Sequence, residues 1–535
     1  MTMAGPENAL DHVVVVMFEN RSFDNLLGRL YDPGEAASFE GVIGKELSNP
    51  IPDWAQDAER GSVPYGVAGD MNTPSPDPGE ELFHVNTQLF GILDEENRGR
   101  IGAESSFNTP EPGSTATMDG FLTDYVSMLM AEYGRAPSYE EYAQIMTGYT
   151  PEQLPVISMI ARGFATFDHW FCDVPTCTFP NRSFFHAGTS SGFVINFPPG
   201  DAFPAHNTAE TLFDRLDAAG LSWKVYCDPP CHASITGLIH ASRLRPKFAT
   251  NFFSTSQFFE DAERGQLPTY SFIEPQILGV AHNDYHPPAD VLFQAAAKEK
   301  GIAQPGEIML DMPSSLLGGE ELLARIYRAI RSSSADTGSN YLNTTLLVTF
   351  DEHGGTYDHV PPPPAAPPTP AAKPGQLGFT FDRSGVRIPT LAVSAWIPER
   401  TVVTEEYRAT SLLATMRERW NLGAPLTARD ASARSFAAVN SLSTPRAQED
   451  WPDVTARPVP KPPESLLPLD HPLGILGKAV FAAVLVLGKG MGVAVPDIKP
   501  DQPMTGAEAI EIGHEILGEL FPELRTEAWH PTAAH

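Results

Sequence analysis

The sequence is short of positive charge and of cysteine, and it has no long hydrophobic run. Its 36 lysine and arginine residues stand against 67 aspartate and glutamate residues, which gives a formal net charge of -31. Because phosphate backbones and anionic lipids attract basic patches, this balance argues against nucleic acid as a partner and against simple electrostatic docking on an acidic membrane. Some of the carboxylates are free to serve metal ions, while most are expected to be solvated surface groups.

The four cysteines are too few for a disulfide scaffold. They form two close pairs along the chain, Cys172 with Cys177 and Cys227 with Cys231. Each pair suits either a disulfide in an oxidising compartment or free thiols in the cytosol. Because the prolines between Cys227 and Cys231 enforce a tight turn, this pair is the better disulfide candidate.

The ends of the chain carry no obvious targeting or membrane segment. The first residues, MTMAGPENALDHVVVVMF, lack the basic region and the long apolar segment of a secretory signal, so the chain as written is expected to be cytoplasmic. The longest uncharged part of the apolar region 473–495 is residues 479–488, which is shorter than the roughly 20 residues that cross a bilayer. A packed helix is favoured there over a transient contact with a membrane surface.

The composition changes near residue 440, where a proline-rich stretch begins. We therefore predict a main domain over residues 1–440 and a linker with a small C-terminal appendage over residues 441–535. No internal repeat is visible, and the sequence does not indicate an oligomeric state.

Residues 344–364, TTLLVTFDEHGGTYDHVPPPP, are the most informative stretch of the chain. The apolar run 346–350 predicts a buried strand, and it leads directly into Asp351, Glu352 and His353. Ligands of open α/β sheets bind outside the carboxyl ends of the strands. This stretch is therefore predicted to form half of a metal site.

A second strand that ends in polar ligands opens the chain. Residues 12–18, HVVVVMF, predict a strand covered on both faces, and Glu19 and Asn20 follow it. Glu19 is alternatively an acidic cap of the next helix, but that reading does not explain why a second strand ends in an acidic pair. Carboxylate and amide oxygens are hard ligands that suit a divalent cation.

A hydroxyl or thiol nucleophile is a further candidate. Thr176, Cys177 and Thr178 precede an expected helix start at Pro180-Asn181-Arg182. Free N–H groups at a helix start hold phosphate, and a hydroxyl there is placed for attack. The competing interpretation is a simple helix cap, and the residues alone do not choose among the three side chains.

The rest of the chain alternates between predicted helices and strands. Residues 31–115 are rich in proline, glycine, aspartate and serine and are predicted to be long loops, in which a lone His84 is more often a surface residue than a ligand. The alternation supports a parallel sheet with helices on its faces. The predicted helices are 121–149, 154–162, 208–219, 319–331 and 410–420, and the predicted strands are 221–226, 269–274 and 387–394.

These motifs together resemble the phosphoesterase family that holds the non-haemolytic phospholipases C of bacteria and plants and a group of acid phosphatases. The resemblance covers roughly residues 1–420. The matching segments are FENRSFDNLLG at 18–28, DPGE…QLFG at 77–91, MDGF at 118–121, FDHWFCDVPTCTFPNRSFFHAGTSSG at 167–192, NDYHPP at 283–288 and TFDEHGGTYDHVPPP at 349–363. It implies a three-layer, alkaline-phosphatase-like α/β sandwich with a central, mostly parallel sheet.

The resemblance also implies roles for individual residues. Glu19, Asn20, Asp351 and Glu352 match the metal ligands, and Thr178 matches the hydroxyl nucleophile, which also contacts the ion. Further residues are expected to act on the phosphate or to support the ligands. The residues expected to hold phosphate oxygens or to protonate the leaving group are His286, His84 and Arg182. The residues expected to support the ligands are His353, Asp358, His359, Asp284 and Asn181.

The chain departs from its relatives around the substrate. Many of them carry a histidine where this chain has Glu80, so His84 replaces that histidine only if the chain turns it inward. Relatives often carry an acid at the position of Tyr285 and a histidine near Ala409. These differences bear on specificity more than on chemistry.

The implied function is hydrolysis of a phosphodiester, such as a phosphatidylcholine-like lipid or a phosphorylcholine ester, through a phosphothreonine. An acid phosphatase acting on monoesters and a non-catalytic binder of phospho-ligands are the alternatives. The oxygen ligands favour Ca, Mg or Mn, while the nearby histidines leave Zn or Fe open. The implied partner is a phosphate ester, including a phospholipid, and although such relatives are often secreted, this chain starts without a signal.

Overall fold

The computed structural model describes residues 5–36, 38–102, 106–196, 203–228, 233–277, 282–288, 314–370, 373–460, 475–490, 492 and 506–524. The second cysteine of the better disulfide candidate, Cys231, lies outside these residues, so that pairing stays a prediction.

An eight-stranded sheet forms the centre of the fold, with the strand order β13-β6-β12-β11-β1-β10-β8-β9. Neighbouring strands are parallel except at β12, which runs antiparallel to both β11 and β6. Three further pairs, β14-β7, β2-β3 and β4-β5, lie outside it. The strands are β1 His12–Phe18, β2 Ser48–Pro50, β3 Ser62–Pro64, β4 Gly66–Val67, β5 Thr147–Gly148, β6 Ala165–Phe167, β7 Trp170–Phe171, β8 Trp223–Cys227, β9 Phe252–Ser254, β10 Tyr270–Glu274, β11 Thr344–Phe350, β12 Thr390–Val393, β13 Thr401–Val403 and β14 Tyr407–Arg408.

The helices vary from four to eighteen residues. The α-helices are α1 Phe23–Leu26, α2 Leu82–Phe90, α3 Phe121–Tyr133, α4 Tyr139–Ala143, α5 Pro155–Gly163, α6 Thr178–Ala187, α7 Phe203–His206, α8 Leu212–Ala218, α9 Ile235–Ile239, α10 Ala241–Leu244, α11 Phe248–Asn251, α12 Thr255–Glu263, α13 Ser315–Ser332, α14 Ser411–Trp420, α15 Ala428–Ala431, α16 Ile475–Gly490 and α17 Gly506–Leu520. Short 3-10 turns lie at Pro6–Asn8, Ala58–Arg60, Glu95–Asn97, Gln144–Met146, Arg245–Lys247, Gln376–Gly378, Ala437–Val439, Gln448–Asp450 and Pro522–Leu524.

Three adjacent parallel strands at the middle of the sheet bring the acidic motifs together. Strand β1 pairs in register with β11, so that Phe18 lies opposite Phe350. On its other side β1 pairs with β10, with Val16 opposite Ile273. Because all three strands run in the same direction, their carboxyl ends meet at one edge of the sheet.

Helices cover both faces of the sheet. On one face the ring of Phe213 in α8 lies 4.6 Å from that of Trp223 in β8. On the other face Phe258 in α12 lies 5.4 Å from Tyr226 of the same strand. Successive side chains of a strand point to opposite faces, so these contacts place helices above and below the sheet. The predicted α/β sandwich with a mostly parallel sheet is confirmed.

Most predicted helices and strands form, but their first and last residues differ from the prediction. A run of apolar residues indicates where an element lies but not the residue at which it ends. The largest error concerns residues 31–115, which hold helix α2 at Leu82–Phe90. The sequence signal for α2 is weak, since it follows Pro78-Gly79 and has no capping side chain. The helix predicted over 121–149 ends at Tyr133, where Gly134 adopts a left-handed conformation with φ of 62°.

Two aromatic residues after 440 pack against earlier parts of the chain. Trp451 is buried, and its ring lies 4.8 Å from Phe164 and 5.9 Å from Tyr327. Phe521 stacks on Phe248 at 4.3 Å. Among the described helices, none is both long and apolar enough to cross a membrane. The boundary predicted at residue 440 stays a prediction.

Candidate active site

The site lies at the carboxyl edge of the central strands. Glu19 and Asn20 follow β1, Asp351 and Glu352 follow β11, and Glu274 is the last residue of β10. All five residues are at most 1% exposed. Burying so many acids in one place is costly unless positive charge or hydrogen bonds compensate them.

Thr178 is the first residue of helix α6, directly after the N-cap residue Cys177. Its Oγ1 donates a hydrogen bond of 3.3 Å to Glu19 Oε2. The neighbouring side chains point elsewhere, because Thr176 Oγ1 bonds to the carbonyl of Val194 at 2.6 Å and Cys177 lies 3.3 Å from Glu81. Of the three side chains that the sequence offered as a nucleophile, Thr178 is the one in contact with a predicted metal ligand.

Asn181 fixes the turn that leads to Thr178. Its Oδ1 accepts from the amide of Val174 at 3.0 Å, and its Nδ2 lies within 3.2 Å of the carbonyl oxygens of Val174, Thr176 and Cys177. Since one side chain closes the whole turn, it holds the start of α6 in place. Asn181 therefore positions the helix start and makes no contact with the acids.

Arg182 supplies the positive charge at the centre of the acids. Its guanidinium pairs with Glu19 and lies 3.5 Å from Asp351 and 3.6 Å from Glu274. Glu19 follows β1, Asp351 follows β11 and Glu274 ends β10, so Arg182 links the ends of all three central strands. Its Nε faces Asp351 and its Nη1 faces Glu274, and neither atom makes a hydrogen bond at these distances.

The buried acids are still short of positive charge. Burial raises the pKa of Glu19 well above its usual value, the Arg182 guanidinium lowers it, and the charges of Asp351 and Asp284 raise it further. Burial also raises the pKa of Glu352, and the charges of Glu80 and Asp351 add to the effect. A cation among these groups would restore their ionised forms.

The oxygen atoms of the predicted ligands fit a divalent cation. Asn20 Oδ1, Asp351 Oδ2 and Glu352 Oε1 are each buried without a hydrogen bond. Unpaired buried oxygens of this kind are what a hard cation would use as ligands. In the described part of the chain, two groups of three side chains bring their ligand atoms within 4.8 Å of one another. Glu19, Asp351 and Glu352 belong to neither group.

One such group lies beside the predicted ligands and consists of Asp77, Glu80 and His286. Asn20 joins it to the acids, because its Nδ2 contacts Glu80 and lies 2.9 Å from His286 Nε2. Burial raises the pKa of Asp77 to about 8, with His286 lowering it and Glu80 raising it. Burial also raises the pKa of Glu80 to about 7.

His84 is engaged away from these groups. Its Nδ1 lies 2.7 Å from Asp124, and its Nε2 lies 3.2 Å from the carbonyl oxygen of Ile101. Burial alone would lower the pKa of His84, but the charge and the hydrogen bond of Asp124 outweigh it and raise the pKa. Both ring nitrogens of His84 thus have partners outside the predicted metal ligands, and its role at the phosphate stays a prediction.

His353 and Asp284 lie next to predicted ligands. His353 Nε2 is 2.8 Å from Gln88 Oε1, and its Nδ1 is 3.3 Å from Glu352. Burial lowers the pKa of His353 to about 3, so it is neutral. The carbonyl oxygen of Asp284 accepts from the amide of Glu19 at 2.8 Å, and its buried Oδ2 makes no hydrogen bond.

Asp358 and His359 belong to a separate charged cluster. His359 Nδ1 lies 2.6 Å from Asp24, and Arg387 pairs with Asp24 at 2.8 Å and with Asp358 at 2.9 Å. Asp24, Asp358 and His359 also bring ligand atoms within 4.8 Å of one another. Arg387 and His359 lie between the two carboxylates, so the cluster ties together the loops that carry these residues.

Two glycines let the loop after β11 pass close to its neighbours. Gly354 has a φ of 58°, and a Cβ there would lie 2.3 Å from the carbonyl oxygen of Asn20. Gly355 has a φ of 62°, and a Cβ there would lie 2.5 Å from the carbonyl oxygen of Gly79. Any side chain at either position would push the three loops of the site apart.

Sequence reasoning missed several residues of the site. The sequence marked Glu274 only as the last residue of a predicted strand. It marked Glu80 only as a position where many relatives carry histidine. Asn196, which lies 3.4 Å from Glu80 and accepts from the amide of Phe179 at 2.7 Å, had no signal in the sequence. Cys172 and Cys177 are both free thiols.

The fold and the site together define an α/β hydrolytic enzyme with an acidic centre at the carboxyl edge of its sheet. A family model described as Phosphoesterase family matches residues 10–304 and 309–423. The chain belongs to the Phosphoesterase family, and it is a hydrolase of phosphoric esters. The resemblance drawn from the sequence motifs is thereby confirmed.

Curated relatives match most of the chain. Non-specific phospholipase C6 of Arabidopsis thaliana is 31% identical over 82% of this chain and 74% of its own length. Non-specific phospholipase C1 of the same plant is 32% identical over 79% of this chain and 69% of its own length. Phospholipase C A of Mycobacterium tuberculosis is 25% identical over 82% of this chain and 78% of its own length.

Solved structures with a similar fold are more distant. The phosphonate monoester hydrolase of Agrobacterium radiobacter is 12% identical, with a TM-score of 0.29 over 56% of this chain and 74% of that chain. A putative sulfatase from Bacteroides thetaiotaomicron is also 12% identical, with a TM-score of 0.33 over 56% of this chain and 72% of that chain.

Proposed function

We propose that this chain is a metal-dependent phosphoesterase of the phospholipase C type. The observation that carries the proposal is the 3.3 Å hydrogen bond from Thr178 Oγ1 to Glu19 Oε2, among acids gathered from three strand ends. The names of the curated relatives support a phospholipase C activity. The proposed substrate is a phosphodiester such as a phosphatidylcholine-like lipid or a phosphorylcholine ester.

Glu19, Asn20, Asp351 and Glu352 would hold the divalent ion, with Thr178 beside them. Their unpaired oxygens and the raised pKa values of Glu19 and Glu352 support this assignment. When bound, such an ion supplies charge neutralisation and a lower pKa for a nearby hydroxyl.

The protein's own groups account for the remaining steps. The Thr178 hydroxyl is aimed at Glu19, which positions it and can accept its proton. The hydroxyl oxygen bonds to phosphorus, the bond from phosphorus to the leaving alcohol breaks, and the alcohol takes up a proton as it departs. Water then hydrolyses the resulting phosphothreonine and releases the phosphorylated head group.

Arg182 and the start of helix α6 would bind the phosphate oxygens. Arg182 pairs with Glu19, the residue that accepts from Thr178, so its positive charge lies close to the proposed nucleophile. Free amides at the first turn of a helix add to the attraction for an anion. Fixed charges of this kind supply most of the rate enhancement in phosphoryl transfer. Of the two imidazoles predicted at the phosphate, this proposal uses His286, and the role of His84 stays a prediction.

The test compares kcat/KM for p-nitrophenylphosphorylcholine with that for p-nitrophenyl phosphate, with Ca, Mg, Mn and Zn added in turn. A phospholipase C prefers the diester and also cleaves phosphatidylcholine in mixed micelles. A preference for the monoester would overturn the proposal in favour of an acid phosphatase. Absence of turnover on all three substrates would overturn the diesterase assignment altogether.

A further inference from the structure

The geometry points to a second divalent-cation site, formed by Asp77, Glu80 and His286, beside the one assigned under Proposed function. Each residue offers one ligand atom, and these atoms all lie within 4.8 Å of one another. Two atoms bound to one ion at about 2.1 Å are roughly 3 to 4 Å apart, so small side-chain shifts would complete the site. The inference rests on the proposed function in one respect, because it takes the first ion as assigned there.

The orientation of the His286 ring suits a metal ligand. Its Nδ1 lies 2.6 Å from the carbonyl oxygen of Pro287, which can only accept a hydrogen bond, so Nδ1 donates there. Its Nε2 points the other way and lies 2.9 Å from Asn20 Nδ2 and 3.8 Å from Asp77 Oδ2. A histidine whose other nitrogen bonds to a backbone carbonyl is the usual arrangement for metal-bound imidazole.

Backbone hydrogen bonds hold the other two ligands near His286. The amide of Asp77 donates to the carbonyl oxygen of Pro288 at 2.9 Å, which joins the two loops. The carbonyl oxygen of Gly79, next to Glu80, accepts from Gln88 at 2.7 Å. The Asp77 Oδ2 atom lies 3.8 Å from His286 Nε2. The three ligands are thus held by the fold and do not depend on one another for their position.

The charges around this group call for a cation. Glu80 is hydrogen-bonded to Glu352, so two buried carboxyl groups face each other. The buried Asp77 Oδ1 lacks a hydrogen bond. Among the described salt bridges, Glu80 has none with a lysine or arginine, whereas Glu19 and Asp351 share Arg182.

Asn20 lies between the two proposed ions. Its Nδ2 contacts both Glu80 and His286, while its Oδ1 is unpaired. Because Oδ1 is assigned to the first ion, an ion bound to His286 Nε2 would replace the hydrogen bond from Asn20 Nδ2. One imidazole and two carboxylates suit Mn, Fe or Zn better than Ca or Mg.

A second ion would also change the role of His286. An imidazole whose Nε2 binds an ion cannot donate a proton from that atom to the leaving alcohol. His286 would then act on the substrate through the ion. This placement gives a reason for Glu80 at a position where many relatives carry histidine, because a carboxylate adds the negative charge that a second ion needs.

The test counts bound metal on the full-length protein. Metal-free protein is dialysed to equilibrium against Mn²⁺ or Zn²⁺, and bound metal is measured by inductively coupled plasma mass spectrometry for wild type, Glu80→Gln, Asp77→Asn and Glu19→Gln. We expect two equivalents in wild type and one in each variant. Thermal unfolding with and without metal shows whether each variant is folded.

Glu81→Gln is the matched control. Glu81 is the neighbouring acid, but its carboxylate contacts Cys177 at 3.3 Å and does not belong to the group of three. This variant should keep two equivalents. Three results would overturn a separate second site. They are one equivalent of bound metal in wild type, two equivalents in both Glu80→Gln and Asp77→Asn, or no bound metal in Glu80→Gln. These outcomes are independent of whether the enzyme prefers a diester, so failure of the proposed function is seen separately.

Discussion

Thr178 Oγ1 donates a hydrogen bond to Glu19 Oε2 at 3.3 Å, although the two residues are 159 positions apart in sequence. Because the contact joins a helix start to the end of a central strand, it depends on the whole sheet being formed. If Thr178 is the nucleophile, Thr178→Ala should lower kcat by on the order of 10³-fold or more. Thr178→Ser should retain part of the activity.

The measurement is single-turnover kinetics with a slow diester, combined with mass spectrometry of quenched enzyme. Wild type and Thr178→Ser should carry a transient phosphoryl group on residue 178. Turnover by Thr178→Ala at the wild-type rate would rule out this residue as the nucleophile.

Asn181 should affect catalysis through the position of Thr178. Asn181→Ala leaves the carbonyl oxygens of Val174, Thr176 and Cys177 without their donor, so we expect a loss of about 1 to 3 kcal/mol in the free energy of unfolding. We also expect kcat to fall while KM changes little, because the turn before the nucleophile is released.

Asn207→Ala is the control for that loss of stability. Asn207 is also fully buried and donates to Ser183 of helix α6 at 2.9 Å, but it does not touch the turn. Urea unfolding should show a comparable loss, with kcat near that of wild type. Equal falls in kcat for both variants would mean that Asn181 has no special part in positioning Thr178.

Glu19→Gln and Asp351→Asn should each abolish binding of the first ion, because both residues belong to one site. Isothermal titration with Mn²⁺ or Ca²⁺ should show the same binding event missing in both variants. The variants should also lose the increase in melting temperature that metal gives to wild type. Full occupancy of the first site in either variant would refute shared ligation.

The charged cluster at Asp24 should make stability depend on pH through His359. Burial alone would lower the pKa of His359, but its hydrogen bond and charge interaction with Asp24 raise it above 6.5. A group whose pKa is raised by folding stabilises the folded state below its unfolded pKa, and this contribution is lost as the pH rises through the folded value. The charged groups that face this ring are Asp24, Asp358, Glu40, Lys45 and Arg387.

Thermal unfolding of wild type and His359→Gln between pH 6 and pH 9 isolates this contribution, because other titrating groups act in both proteins. The stability difference in favour of wild type should be largest near pH 6 and should shrink toward pH 9. A constant difference across this range would mean that folding does not shift the pKa of His359.

Trp451 should be important for stability, although it follows the residue at which the main domain was predicted to end. Its ring is packed against Phe164, Tyr327 and Tyr341. Trp451→Ala should therefore cost about 3 to 5 kcal/mol of unfolding free energy, measured in urea. The half-buried Trp420 offers a control, since Trp420→Ala should cost clearly less. Equal costs would favour the boundary at residue 440.

The sequence was most informative where a buried strand ran into polar residues. Residues 346–350 and 12–18 predicted β11 and β1, and the parallel pairing of the two strands brings Glu19 and Asp351 to one edge. Burial on both faces demands an unbroken apolar run, so the acids that end it mark the edge of the sheet. This pattern is local in the sequence, so it can be recognised without knowing which strands pair with one another.

The contacts that the sequence did not predict join distant parts of the chain. The pairing of His84 with Asp124 needs helices α2 and α3 to lie side by side, and no local pattern requires that. In the same way, the partner of His359 is Asp24, which lies 335 positions away in sequence. Arg182 was expected at the phosphate alone, whereas it also links the acids of three strands.

The close passage of Gly354 and Gly355 has a consequence for how this enzyme can vary. A Cβ at either position would meet the backbone of residue 20 or residue 79, so main-chain atoms limit how far apart the three loops can lie. Side chains that point away from these close contacts can then change without moving the loops. An inserted residue has no space to occupy. We expect related enzymes with different substrates to differ here in side chains while keeping the lengths of these loops constant.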